Sequence, residues 1–174
     1  LSEHGRCKAF DIDAGGYVRS EGAASVILKP YKDALADGDP IYALIRGTGV
    51  NQDGKTPALP IPNPDAQEIL IRKVYKDSGI SPSDIHYVEA HGTGTQAGDP
   101  AEFKALSSVL HTGNNYQEKI PVGSLKSNLG HMESVAGIGG LIKAALCLKH
   151  KLVPPNIHFN TPNPKLNYEE KSLM

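Results

Sequence analysis

The sequence contains very little cysteine, and neither sign of charge is in excess. Its 174 residues include two cysteines and no tryptophan, and the formal net charge is −1. Two cysteines cannot build a disulfide framework, which predicts a reducing, cytoplasmic setting. Basic and acidic residues are interleaved, so binding to nucleic acid or to a membrane surface is not expected.

Long hydrophobic runs are also missing. The most apolar stretch, residues 135–148, is interrupted by Lys143 and is too short to span a bilayer. The first residues, with Glu3 and Arg6, lack the apolar centre of a signal peptide. These features predict a protein without a membrane span.

The spacings typical of metal ligands and nucleotide loops are absent as well. No His-x-x-x-His pair or Cys/His cluster occurs, so neither a zinc hydrolase nor any other metal site is expected. No Gly-x-Gly-x-x-Gly opens a predicted helix, and no Gly-Lys-Ser/Thr loop is present, which disfavours nucleotide binding. Five histidines without paired spacing are interpreted as ordinary polar residues: His4, His86, His111, His150 and His158.

Apolar runs and helical periods alternate along the chain. Continuous apolar runs predict buried strands at residues 23–28, 41–45, 85–90 and 120–125. Helical patterns predict a short helix at 31–37 and longer helices starting near 65, 99 and 134. Alternating strands and helices indicate an α/β fold.

The predicted helix boundaries depend on a few capping residues. Asp65 is the expected N-cap of one helix, with Glu68 as its capping-box partner and Gly79 as its stop. Asp99 and Glu102 form a second predicted capping box, which favours a structural role for both. The inward faces are expected to hold Ala66, Ile69, Leu70 and Val74 in the first helix, and Leu106, Val109 and Leu110, followed by Gly113, in the second. The helix at 134–150 is apolar almost all round, which predicts burial.

Two of the predicted strands each end in a histidine within a glycine-containing turn. The first runs into His91-Gly92-Thr93-Gly94-Thr95, and the second runs into Lys126-Ser127-Asn128-Leu129-Gly130-His131. In α/β proteins the chemistry gathers at the carboxyl ends of strands. These turns are therefore the candidate site.

Both turns, with the intervening Gly98-Asp99-Pro100-Ala101-Glu102, resemble the paired histidine motifs of β-ketoacyl synthases. The type I polyketide synthase branch fits best, and fatty acid synthases are the near neighbours. The resemblance implies a thiolase-like fold of two similar halves stacked in layers, of which this chain is a part. Residues 1–55 would end the first half, 56–64 would form a proline-rich connector, and 65–174 would belong to the second half.

The resemblance also implies an activity and a set of site residues. The reaction is a decarboxylative Claisen condensation of a malonyl-type extender with an acyl chain held on cysteine. His91 and His131 are expected to donate hydrogen bonds to the thioester oxygen as neutral imidazoles, with Lys126 organising their network. Thr93 and Thr95 are expected to contact the phosphopantetheine arm of an acyl carrier protein.

The nucleophilic cysteine of the family has no counterpart in this chain. Cys7 lies in a predicted polar loop, and Cys147 lies in an apolar helix where burial keeps a thiol inert. In the family the nucleophile precedes the segment that matches residues 5–11. The chain alone is therefore expected to be inactive, because it supplies two histidines and a lysine but not the cysteine.

Further expectations concern partners and alternatives. The resemblance implies an acyl carrier protein, neighbouring synthase domains and a homodimer as partners, with no cofactor bound directly. The principal alternative is a non-catalytic ketosynthase-like module that binds a carrier protein or mediates dimerisation; thiolase-type cleavage is a second. Since residues 134–150 contain no carboxylate, the sequence names no partner for Lys126.

Overall fold

Helices dominate the fold, and the described residues form one two-stranded sheet. The computed structural model describes residues 1–110, 119–168 and 173. Its α-helices are α1 (Tyr31–Ala36), α2 (Pro64–Ser78), α3 (Gly98–Leu110), α4 (Lys126–Leu129) and α5 (Ala136–His150). Single 3-10 turns cover Pro82–Asp84, Glu133–Val135 and Pro164–Leu166. The predictions made for His111 and Gly113 lie outside the described residues.

The two strands that lead to the histidines pair with each other in parallel. Strand β1 (Val88–Glu89) pairs with β2 (Val122–Gly123), with Val88 opposite Val122. Hydrogen bonds of 3.0 Å from Val88 N to Pro121 O and 2.8 Å from Ala90 N to Gly123 O complete the ladder. Both strands were predicted, although each is shorter than its apolar run. Because they are parallel, both histidine turns leave the same edge of the sheet.

The other two predicted strands are wrong for this structure. Residues 23–28 and 41–45 have no regular secondary structure, and they are exposed where burial was expected. Ile27 is 98% exposed and Ile45 is 52% exposed. An apolar run becomes a strand only where a neighbouring strand satisfies its backbone groups. Within the described ranges, the runs are not paired with a strand.

The N-cap of helix α2 lies two residues before the predicted one. The Asn63 side chain accepts hydrogen bonds from Asp65 N and Ala66 N, and Pro64 occupies the first helical position. Proline suits that position because its φ is already helical. The prediction of Asp65 as the cap is therefore wrong, whereas Gly79 ends the helix in a left-handed conformation at φ 63°, as predicted.

Side-chain burial on α2 and α5 is lower than their patterns predicted. Ile69 on α2 is 66% exposed, and Leu148 on α5 is 66% exposed. Of the residues in α5, Gly139 is buried. The prediction of a helix buried on all sides is therefore wrong, although its extent is confirmed. An apolar groove of about 490 Å³ runs along α5 and includes Cys147 in its wall.

The core packs around α3. Leu106, Val109 and Leu110 are buried there, as predicted. The amino-terminal loop contributes Phe10, whose ring centroid lies 6.4 Å from that of Phe103. The main cluster consists of Ala9, Phe10, Ala90, Phe103, Leu106, Leu110, Ile120, Val122, Leu166 and Leu173. Ala90 and Val122 belong to the strand segments, so the core fixes the base of both histidine turns.

The ends of the described chain are joined beside this core. The fully buried Asp11 carboxylate accepts hydrogen bonds of 2.6 Å from Asn160 N and 2.9 Å from Thr161 N. Backbone hydrogen bonds to a carboxylate stabilise its charged form. Among the described residues, none of the helices is long and apolar enough to cross a membrane.

Candidate active site

The loop that carries His91 is held by two carboxylates of α3. Glu102 accepts hydrogen bonds of 2.6 Å from His91 N and 2.8 Å from Gly92 N. Asp99, which is 1% exposed, accepts 3.1 Å from Gly94 N and 2.7 Å from Phe10 N. The capping box predicted for these two residues is wrong, because both point back onto the loop. The two carboxylates nevertheless have a structural role, as predicted, because their hydrogen bonds hold the shape of the loop.

The two threonines of the first motif lie where the loop enters α3. Their hydroxyl oxygens are 3.2 Å apart, and Thr93 is buried. Thr95 Oγ1 also accepts a 3.1 Å hydrogen bond from Gly98 N at the first residue of α3. A side-chain oxygen at this place satisfies a helix N–H that has no partner within the helix. Thr95 therefore shapes the start of the helix.

The second turn packs directly on the first. Ser124, which is fully buried and lies two residues before Lys126, donates a 2.8 Å hydrogen bond to Gly92 O. Gly92 has a φ of 43°, and a Cβ at this position would lie 2.6 Å from Ser124 Cβ. A residue with a side chain would push the turns apart. Glycine is thus required for the two turns to approach each other.

His131 is fixed by its backbone and by its ring. His131 N donates to Val18 O at 2.7 Å, and His131 O accepts from Ser20 N at 3.0 Å. Its Nδ1 accepts a 2.9 Å hydrogen bond from Glu133 N. Since Nδ1 acts as an acceptor, the proton of the neutral ring is on Nε2. The free donor of His131 is therefore Nε2–H.

The structure brings the two predicted histidines together. The ring centroids of His91 and His131 are 5.4 Å apart, and their planes meet at 81°. Tyr17 lies on another side of His131, with ring centroids 5.3 Å apart. Two imidazoles at this separation can both form hydrogen bonds to one small group that lies between them.

Electrostatics favours the neutral form of both histidines. His91 keeps an exposed surface, but desolvation by the groups packed around its ring, followed by the charge of Lys126 and the neighbouring His131, lowers its pKa to about 4. Burial and the charge of Lys126 also lower the pKa of His131. A low pKa leaves an imidazole neutral near pH 7, where one ring nitrogen is a donor.

Lys126 is the first residue of α4 and is 7% exposed. Burial lowers the pKa of its ammonium, while the carboxylates of Glu102 and Glu89 favour its charged form. The negative charges near Lys126 thus come from α3 and β1. The sequence named no charge partner for Lys126 because α5 contains no carboxylate, and the structure provides these two from other elements.

Glu89 is the residue that sequence reasoning missed. Its Oε1 accepts a 2.6 Å hydrogen bond from Leu125 N, the residue before Lys126. Its Oε2 lies 2.8 Å from Lys143 Nζ on α5. The available signal was a charged residue within an otherwise apolar run that ends at a histidine.

Neither cysteine is arranged as a nucleophile. Cys7 is 2% exposed, and its Sγ accepts a 3.2 Å hydrogen bond from Val18 N. The expected polar loop is therefore buried at this point. Cys147 is half-buried in α5. In the part of the chain that the structure describes, no three His, Cys, Asp or Glu side chains are placed to hold a metal ion.

Comparisons with known proteins identify a family. Residues 42–160 match the family described as beta-ketoacyl synthase, C-terminal domain, and residues 1–34 match the corresponding N-terminal domain. A highly reducing polyketide synthase of Talaromyces stipitatus is 50% identical over 173 residues. These cover 99% of this chain and 7% of that protein. A phenolphthiocerol/phthiocerol polyketide synthase from Mycobacterium tuberculosis is 49% identical over 98% of this chain and 9% of its own length.

Solved structures agree in fold. The ketosynthase from module 6 of the bacillaene synthase of Bacillus subtilis superposes with a TM-score of 0.96 at 46% identity. The match covers 100% of this chain and 31% of that one. The predicted thiolase-like fold, present here in part, is thereby confirmed. With this sequence match and this fold, the chain belongs to the β-ketoacyl synthase family and is part of a ketosynthase domain of the polyketide synthase type.

Proposed function

We propose that this chain forms the histidine-bearing part of an acyltransferase that performs decarboxylative Claisen condensation. The observation that carries the proposal is the pair of imidazoles 5.4 Å apart. The protein would extend an acyl chain with a malonyl-type unit, as a working part of a longer enzyme. His91, His131 and Lys126 would be its catalytic residues.

Decarboxylation would begin the reaction. The bond between the carboxylate carbon and the α-carbon of the malonyl thioester breaks and CO₂ departs. The electron pair moves into an enolate whose negative charge rests on the thioester oxygen. His91 and His131 donate hydrogen bonds to that oxygen, which stabilises the charge as it develops. Neutral rings suit this task, and the lowered pKa values of both support it.

Condensation would follow. The enolate carbon attacks the carbonyl carbon of an acyl chain held as a cysteine thioester, and a carbon–carbon bond forms. The tetrahedral intermediate then collapses and the cysteine thiolate leaves. Neither Cys7 nor Cys147 suits this role, so the nucleophile would come from another part of the longer protein. By itself the chain would be inactive.

Lys126 would keep the histidines neutral and hold the network around them. Its charge lowers the pKa of both rings. Thr93 and Thr95 lie on the loop that carries His91 and would contact the phosphopantetheine arm of an acyl carrier protein. Their hydroxyl groups bond each other at 3.2 Å, so they form one polar patch.

The remaining features of the longer protein follow from the same proposal. It would be a cytoplasmic homodimer with neighbouring synthase domains, and no cofactor would bind to this chain directly. Two free thiols, Cys7 and Cys147, support a reducing compartment. The division at about residue 55, with a connector at 56–64, stays a prediction. Relatives at about 50% identity are described as polyketide synthases, which disfavours a non-catalytic module.

The test is His131→Ala in the full-length protein that contains this chain. Removing one donor to a developing oxyanion typically costs about 100- to 1,000-fold in rate. Malonyl decarboxylation should fall by about this factor, while acyl loading on cysteine continues. Both are measured with radiolabelled malonyl and acyl thioesters. His86→Ala, at an exposed histidine outside the motifs, is the control. Normal decarboxylation by His131→Ala would sink the proposal.

A further inference from the structure

The ladder between the two histidine strands is too short to position the second turn by itself. Strands β1 and β2 pair at two positions, Val88 with Val122 and Glu89 with Gly123. Beyond Gly123 the chain continues through Ser124 and Leu125 to Lys126. An additional contact is therefore needed to set the distance between the turn of His91 and the turn of Lys126.

Glu89 provides such a contact. Its backbone belongs to β1, two residues before His91, and its Oε1 accepts a 2.6 Å hydrogen bond from Leu125 N. One carboxylate therefore joins the strand that delivers His91 to the residue that precedes Lys126. The hydrogen bond from Ser124 to Gly92 O is a second, independent link between the two turns.

The carboxylate is buried and fully partnered. The Glu89 side chain is 9% exposed, and its Oε2 lies 2.8 Å from Lys143 Nζ, whose side chain is 11% exposed. The Tyr87 hydroxyl donates to the same Oε2. A buried carboxylate holds a fixed position when each oxygen has a partner, and it is costly when one is lost.

The neighbouring backbone is shaped around these side chains. A Cβ on Gly123 would collide with the Tyr87 hydroxyl and lie 3.1 Å from Lys143 Nζ. A Cβ on Gly140 in α5 would lie 3.2 Å from Glu89 Cγ. Two glycines on different elements thus leave room for the same three side chains.

We propose that Tyr87, Glu89 and Lys143 form a positioning cluster for the two histidine turns. Glu89 sets the turn of Lys126 against the turn of His91. Lys143 anchors Glu89 to α5, the helix that follows His131 after one 3-10 turn. None of the three touches the reacting atoms, so each acts through the residues it positions. This inference rests on the proposed condensing function.

Two charge-free double variants test the proposal in the full-length protein. Glu89→Gln/Lys143→Met retains an acceptor for Leu125 N, and Glu89→Leu/Lys143→Met removes it. A displacement of about 1 Å in a catalytic group can cost about 100-fold in rate. We expect the leucine variant to lose about 100-fold in kcat for malonyl decarboxylation, with KM and acyl loading unchanged. The glutamine variant should stay within about tenfold of the wild type.

The controls separate positioning from general stability. Asp77→Ala removes the partner of Lys73 in an exposed ion pair on α2 and should leave kcat unchanged. Equal kcat values for the two double variants would overturn the proposal. So would parallel loss of loading and decarboxylation in the leucine variant alone, because that pattern indicates a structural role. If the leucine variant is insoluble, Glu89→Asp replaces it, because the shorter side chain withdraws the acceptor from Leu125 N. This variant should show the same selective loss of kcat. A wild-type kcat in Glu89→Asp would refute the proposal.

The same experiment distinguishes the two levels of inference. A wild-type protein that decarboxylates malonyl thioester, with no difference between the double variants, would refute the cluster alone. A wild-type protein that loads acyl groups but never decarboxylates would refute the condensing function and the cluster with it.

Discussion

Two regions with similar apolar runs have opposite fates in this molecule. The runs at 85–90 and 120–125 become paired strand ends that support the two histidines. The runs at 23–28 and 41–45 remain exposed and unpaired in the structure. Val88 and Val122 have each other as partners, whereas Ile27 is 98% exposed. An apolar run can be buried, but it becomes a buried strand only where a neighbouring strand pairs with it.

The two regions also differ in how tightly their groups are held. Around the histidines, loop N–H groups are bound by carboxylates and the serine between the turns is fully buried. Along 23–50, large apolar side chains face outward, and Val50 is 89% exposed. Substitutions in the two regions should therefore have very different effects on the chain itself.

The largest expected effect contrasts Phe103→Ala with Ile27→Ala. Phe103 is 1% exposed, and its ring lies 4.8 Å from that of Tyr168. Truncating such a residue should lower the free energy of unfolding by about 3–5 kcal/mol. Ile27→Ala should change it by less than about 0.5 kcal/mol. Urea denaturation of this chain, followed by tyrosine fluorescence, measures both. Similar costs at the two positions would show that 23–28 is buried in solution.

A smaller effect is expected where the two histidine turns meet. Ser124→Ala removes the donor to Gly92 O and leaves that buried carbonyl without it. The free energy of unfolding should fall by about 1–3 kcal/mol. Ser83→Ala, at an exposed serine near the start of β1, is the matched control and should be nearly neutral. An equally small cost at Ser124 would mean that the turns do not depend on this hydrogen bond.

The smallest expected effect is a pH dependence from His91. Its pKa is about 4 in the folded protein, against about 6.5 for an unperturbed histidine. Between these values the unfolded chain binds more protons, so stability should fall as the pH drops from 6.5 to 4. The urea midpoint of His91→Gln should fall less over this range. Asp99 and Glu102, whose pKa values are raised by burial, contribute with the opposite sign in both proteins. Because His91 is exposed, solvent screening should keep this difference small. Identical pH profiles would show that folding does not lower the pKa of His91.

The positions of many candidate-site residues were predictable because they are set by short, local sequence patterns. The strand ends, the two histidines, Lys126 and the inward face of α3 all follow from apolar runs and motif residues. The pairing of His91 with His131 follows from the parallel strands that place both turns at one edge.

The roles of the carboxylates were not predictable, because local rules compete with distant contacts. Asp99 and Glu102 fit a capping box, but in the fold they accept hydrogen bonds from the loop N–H groups of Gly94 and His91 instead. Asn63 replaced Asp65 as a cap because Pro64 could occupy the first helical position. Glu89 needed Lys143 and Leu125, which lie far away in sequence and meet it only in the fold.

The carboxylates of α3 make the length of the first motif as constrained as its residues. Asp99 and Glu102 are three positions apart and so lie on one face of α3, toward the loop. Each residue of an α-helix turns it by about 100°, since about 3.6 residues make one turn. Deleting one residue between Asp99 and Glu102 would leave the two carboxylates two positions apart, so they could no longer both face the loop of His91. Sequence libraries that vary this motif should therefore change residue identity and leave the spacing between Asp99 and Glu102 untouched.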